Sequence, residues 1–163
     1  MRRFFKKIHI KRGGIMIMCI MIASALIGCS SQTKDVSANE IGETIQKGVK
    51  MDEVEKGDQK KLQKLYEINA EDIVGFALYT ASTNMKADEL LILKVKNSKD
   101  IETMKKKVED RINSQSQKFK DYLPNENFLV ENHVLKIKGN YILLAISAQS
   151  DKIEKKFQEV LTK

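Results

Sequence analysis

Two pairs of strand-length apolar runs, each pair followed by a stretch of helical period, constrain this chain more than any other feature. Ile73-Val-Gly-Phe-Ala-Leu-Tyr79 and Glu89-Leu-Leu-Ile-Leu-Lys-Val95 are separated by the polar loop Ser82-Thr-Asn-Met-Lys86. Bounded runs of that length and type read as strands, here an antiparallel hairpin. Ile101, Met104, Val108, Ile112 and Phe119 then mark one face of a helix over 99–121,. Lys105-Lys106-Lys107 falls mostly off that face and reads as solvated. Tyr122-Leu123-Pro124 stops the helix, because the residue before a proline disfavours helical angles,. Val134–Lys138 alternates apolar and polar, Gly139-Asn140 turns, and Tyr141–Ile146 returns as a second hairpin,. Ile153, Phe157, Val160 and Leu161 mark a last helix over 151–162.

Ahead of the first strand, Ile41, Ile45 and Val49 recur every four residues and predict a short helix over 39–50,. Asp58 is a suitable N-cap for another, with Leu62, Leu65 and Tyr66 on its buried side,. A shift of 52 residues lays Leu91, Ser98, Ile101, Glu102 and Val108 on Leu143, Ser150, Ile153, Glu154 and Val160. The coincidence favours a repeated unit, although shared helix-start chemistry produces the same echo. The expected fold class is therefore α+β. A four-stranded antiparallel sheet in a ββα–ββα arrangement is packed by the long and C-terminal helices and preceded by one or two short helices. Strands 73–79 and 141–147, apolar on both faces, belong in the middle, and 133–138 belongs at an edge.

The N-terminus follows different rules. Arg2, Arg3, Lys6, Lys7, Lys11 and Arg12 precede the apolar run Ile15–Ile27, which small residues close. These are the parts of a secretory signal. Thirteen residues at about 1.5 Å each make roughly 20 Å of helix, short of the roughly 30 Å of hydrocarbon in a bilayer. The closing Leu26-Ile27-Gly28-Cys29 resembles the lipobox of bacterial lipoproteins. That resemblance implies cleavage between Gly28 and Cys29 and diacylglyceryl transfer to the Cys29 sulfur, often with further acylation such as palmitate on the new amine. The alternatives are an ordinary secretory signal with a chance cysteine, or an uncleaved anchor. The expected organisation is a signal peptide over 1–28, a lipidated polar tether over 29–39 and one domain over 40–163. Two or three acyl chains hold a protein at a membrane almost permanently, where one does not.

Charge counts only after that cleavage. The chain carries +7, but residues 1–28 hold six of its 29 bases and none of its 22 acids. The remainder has 23 bases against 22 acids, which predicts no strong attraction to nucleic acid,. Cys19 is removed and Cys29 becomes a thioether, so no disulfide is expected, and one histidine, His133, remains,.

Several motifs resemble those of a known family. They are Tyr66-Glu-Ile-Asn69, Leu78-Tyr-Thr-Ala-Ser-Thr-Asn-Met-Lys-Ala-Asp-Glu-Leu90, Tyr122-Leu-Pro124 and Lys138-Gly-Asn-Tyr141. In this order they are similar to motifs of the bacterial lipoprotein family catalogued as domain of unknown function 4358, over roughly residues 40–160. The resemblance implies a small lipoprotein and carries no established reaction, ligand or catalytic residue. Where that family often has Tyr-Gly-Ile-Asp, this chain has Glu67 and Asn69. No glycine-only backbone angle is therefore expected at 67.

No catalytic constellation stands out. A Ser-His-Asp or Cys-His system needs a base beside its nucleophile, and His133, at the start of an edge strand, reads as structural. Neither a zinc cluster, a phosphate-binding glycine loop nor an EF-hand loop is present,, so no cofactor or metal is expected. Glu71-Asp72, Asp88-Glu89 and Glu109-Asp110 are adjacent acids, but neighbours on a strand or helix point apart and do not form a facing pair,. Phe76, Phe119 and Phe157 fall on predicted core faces, while Tyr66, Tyr79, Tyr122 and Tyr141 read as more open,. If a binding surface exists, Tyr79, the 82–87 loop, Glu89, Tyr122 and Tyr141 are its expected members. The expected function is a non-catalytic binding or scaffolding module at the cell envelope, with an envelope protein or small ligand as partner. The alternative is a carboxylate-dependent hydrolase of envelope polymers.

Overall fold

A computed structural model describes residues 33–51 and 53–162. Gly28, Cys29 and the first part of the expected tether lie outside the described residues. Among the described residues, five α-helices and five strands follow in order: α1 Ala38–Gly48, β1 Val54–Lys56, α2 Gln59–Tyr66, β2 Ile73–Ala81, β3 Glu89–Val95, α3 Ile101–Phe119, α4 Pro124–Glu131, β4 Val134–Lys138, β5 Tyr141–Ile146 and α5 Ser150–Thr162. All strands pair antiparallel in the order β1-β2-β3-β5-β4. The α+β class holds, and β4 is an edge strand as expected.

The expected count of four strands is corrected to five. Val54-Glu55-Lys56 is too short and too polar to show a period, yet it pairs with Tyr79–Ala81 and forms the other edge. The expected stop at Pro124 is also a start. Proline lacks only an N–H that the first helical turn leaves unpaired anyway, so it opens α4,.

Helices cover both faces, which is why every residue of β5 is buried. Leu62 and Tyr66 of α2, the α3 stripe and Val130 of α4 pack with Leu78, Leu91 and Leu93 on one face. Ile41 and Ile45 of α1 and Ile153, Phe157 and Leu161 of α5 pack with Ala77, Leu90 and Leu143 on the other. The long and C-terminal helices thus lie on opposite faces. Asp58 caps α2 as expected, its Oδ1 accepting from Lys61 N–H at 2.8 Å, and Ser37, read as tether, caps α1, its Oγ accepting from Glu40 N–H at 3.1 Å,.

Close approach of α1 to the sheet depends on Gly42. A Cβ there would meet Ala77 Cβ at 2.6 Å and the Tyr79 ring at 3.1 Å. Gly42→Ala gains about 1 kcal/mol of helix propensity, but overpacking against a methyl fixed to the backbone costs about 1–3 kcal/mol. The expected result is a lower urea midpoint at unchanged slope. An equal or higher midpoint would mean that α1 shifts freely.

Part of the expected tether is packed. Val36 is buried, its N–H donates to the Tyr141 hydroxyl at 3.0 Å, and that hydroxyl donates to the Val36 carbonyl at 2.7 Å. Lys34 N–H donates to the Leu161 carbonyl at 3.0 Å. Lys94 pairs with Asp35, and its hydrogen bond and charge hold the Asp35 carboxyl below the usual carboxylate range. The stretch looks unstructured in sequence because its ordering contacts lie 58 residues or more away along the chain.

Glu67 corrects another expectation. It ends α2 in the left-handed region, at φ 55° and ψ 27°. Its N–H donates to the Gln63 carbonyl at 2.9 Å and its own carbonyl accepts from Lys107, so Lys107 is not merely solvated. These bonds hold a geometry that costs a non-glycine residue about 1 kcal/mol or more. Both bonds use backbone atoms of residue 67, so Glu67→Gly should raise stability by about 0.5–1 kcal/mol. A rise of a few degrees in melting temperature checks this, and a fall would show that the Glu67 side chain contributes.

Candidate functional site

A row of cross-strand neighbours, Glu55, Thr80, Glu89 and Ile146, crosses one end of the sheet. Directly opposed residues share a face, here the face covered by α2 and α3. Glu89 opens a strand that is otherwise apolar but for Lys94, and it is completely buried. Such a carboxylate requires donors, and α3 supplies most of them. Arg111 Nε donates to Oε1 at 3.1 Å and its Nη2 to Oε2 at 2.6 Å, while Gln115 Nε2 donates to Oε2 at 3.1 Å. The Tyr66 hydroxyl of α2 donates to Oε1. Burial, then the Glu89 charge, raises the Tyr66 pKa well above its ordinary value, so the phenol stays protonated and donating. Burial opposes the charge on Arg111, but the Glu89 hydrogen bonds and charge outweigh it and raise its pKa.

Above this network lies a cavity of about 240 Å³. Thr80, Glu89, Arg111 and Gln115 line its inner side; Ser82, Thr83, Asn84, Lys61 and Lys118 line its mouth. The loop is secured by Glu126 in the first turn of α4, whose carboxylate accepts from Lys86 Nζ at 3.0 Å and Ala87 N–H at 2.9 Å. A larger depression, about 490 Å³, follows α2 and residues 69–71. Its lining is exposed except for Ala70, and it contains no buried polar group.

Of the expected binding surface, Glu89 and the 82–87 loop do come together. The three tyrosines do not join them. Tyr79 faces the opposite core, where burial and the Glu43 charge raise its pKa. Tyr141 is buried on that same face as the clamp on Val36. Tyr122 is 84 % exposed beyond the end of α3. Tyr66, read as open, is buried, because α2 lies flat on the sheet.

Phe119 and Phe157 are buried as expected, and Phe76 is half-buried. Glu71, Asp72 and Asp110 are exposed, and Glu109 pairs with Lys105 at 2.9 Å. Asp88 is buried at the sheet end, where it lines this cavity and a second one of about 330 Å³. His133 Nδ1 lies 2.7 Å from the Val130 carbonyl. A carbonyl only accepts, so that nitrogen carries the proton and the residue has a structural partner. No group of three or more His, Cys, Asp or Glu able to hold a metal occurs among the described residues. Nor is any helix among them long and apolar enough to cross a membrane.

Arg111, Gln115 and Glu126 were not among the expected site residues. Gln115 carried a readable signal: it continues the stripe Met104, Val108, Ile112, where a polar residue on a core position implies a buried partner. A model of the family described as a domain of unknown function (DUF4358) matches residues 46–147. No curated protein and no solved structure matches the chain.

Proposed function

The chain belongs to the DUF4358 family, and from that membership and the cavity above Glu89 we propose that it is a lipid-anchored, non-catalytic binding module of the bacterial cell envelope. Location rests on the basic, apolar and lipobox-like order of residues 2–29, which predicts acylation of Cys29 and residence on the outer face of the cytoplasmic membrane,. Tethering there raises the effective concentration of even a weak binder near its partner.

The observation that carries the binding reading is the saturation of Glu89. A carboxylate offers about four acceptor positions, and Arg111, Gln115 and Tyr66 occupy four at the inner side of a cavity. Accepting a proton from a substrate would displace one of these donors. A glycoside hydrolase needs two carboxyl groups free to work about 5–10 Å apart across its substrate. Glu89 supports a shape and does not perform a proton transfer.

The test is to purify the full chain from its own membranes in mild detergent, denature it, and identify released small molecules by mass spectrometry. One compound should accompany the wild type and be absent from Thr83→Trp, which fills the cavity mouth. Equal release from both proteins, or none from either, counts against the reading. Turnover of envelope polymer that Glu89→Gln abolishes would favour the hydrolase.

A further inference from the structure

We propose that the cavity above Glu89 takes its ligand by an oxyanion, a carboxylate or a phosphate, held between the Lys118 ammonium and the Thr80 hydroxyl. This rests on the binding reading above and names the chemistry of its ligand.

Four cations line the cavity: Lys61, Lys86, Arg111 and Lys118. Lys61 pairs with Glu55 at 2.5 Å, Lys86 with Glu126 at 3.0 Å, and Arg111 with Glu89 at 2.6 Å. Lys118 has no carboxylate at ion-pair distance among the described residues, and its ammonium lies 4.5 Å from the centre of the Phe119 ring. Arg111, Gln115 and Lys118 follow each other at spacings of four and three, which puts all three on one side of α3,. Partial burial and then the Arg111 charge hold the Lys118 pKa below that of an ordinary lysine. A bound anion would relieve that repulsion.

Thr80 supplies an independent observation. It is 5 % exposed, and its Oγ1 is the one buried side-chain polar atom without a hydrogen-bond partner among the described residues. A buried hydroxyl left in that state is destabilising, so its place on a cavity wall calls for a partner. Thr80 can donate to an oxyanion that Lys118 attracts, and the Ser82, Thr83 and Asn84 side chains stand at the same mouth. About 240 Å³ lies below the usual volume of sites for drug-sized ligands,. The ligand is correspondingly small, on the scale of an amino acid or a sugar phosphate.

The experiment titrates the full ¹⁵N-labelled chain in dodecyl maltoside with sodium phosphate, sodium acetate and glycerol. Ionic strength is held constant with sodium chloride, because screening weakens any ammonium contact. One or both anions should give saturable amide shifts at Thr80, residues 82–84 and Lys118, and the stronger of the two identifies the oxyanion. Lys118→Gln should weaken that binding about tenfold, the loss expected for one charge-assisted hydrogen bond. Thr80→Val keeps the shape and removes the hydroxyl; it should weaken binding about fivefold while the fold stays as stable or gains. Shifts that do not saturate, or affinities unchanged in both variants, would overturn the proposal. So would saturable shifts with glycerol alone. A neutral compound released from the purified wild type but not from Thr83→Trp would sink the oxyanion and leave the binding reading standing.

Discussion

Arg111→Met should destabilise the fold by about 3–5 kcal/mol, the usual effect of removing one partner from a buried ion pair. The Glu89 side chain is 1 % exposed and that of Arg111 14 %, so water cannot replace the lost guanidinium. Tyr66 and Gln115 would still donate, but two neutral donors do not offset a full charge in a medium of low dielectric constant. At about 3 °C per kcal/mol for a domain of this size, melting should fall by roughly 10–15 °C. Arg111→Lys should recover only part of that loss, because an ammonium is a point charge and cannot reach both carboxylate oxygens as the guanidinium fork does. Denaturant and thermal unfolding of the three proteins decide the matter. A loss under about 1 kcal/mol in Arg111→Met would mean that Glu89 is neutral or hydrated in the fold, contrary to its network here.

The second large effect concerns attachment. Cys29→Ala should remove the added acyl mass, and with it detergent partitioning of any product that has also lost the apolar run Ile15–Ile27. It should also leave uncleaved precursor or a product trimmed elsewhere. One acyl chain contributes about 0.8 kcal/mol per buried methylene, and two or three together make release negligible; without the sulfur none can be transferred. Residue 29 lies ahead of Thr33, where the packed unit begins, so melting should match the wild type. Intact mass, detergent partitioning and melting of the two proteins settle each part. Wild-type protein found in the aqueous phase without acyl mass would remove the basis for the proposed location.

The sequence alone determined the elements with strong period. Glu89–Val95, Val134–Lys138 and Tyr141–Ile146 are strands within a residue of expectation, and the α3 stripe is buried as read. Local chemistry determined the cap at Asp58 and the turn at Gly139, whose φ of 58° suits glycine,. The family resemblance was also legible, because its motifs are short and their order is preserved.

Tertiary structure decided the rest. Val54–Lys56 becomes a strand only because β2 offers it an edge, and Val36 is ordered only because Tyr141 reaches it. Tyr66 and Tyr141 are each buried with a polar partner, on opposite faces of one sheet. No spacing in the chain encodes which face a helix covers. Above all, the site joins Tyr66, Thr80, Glu89, Arg111 and Lys118 from four elements. Periodicity reports what lies a few residues away along one element. A buried carboxylate takes its donors from whichever elements the packing brings across it, and that choice is made only when the layers close.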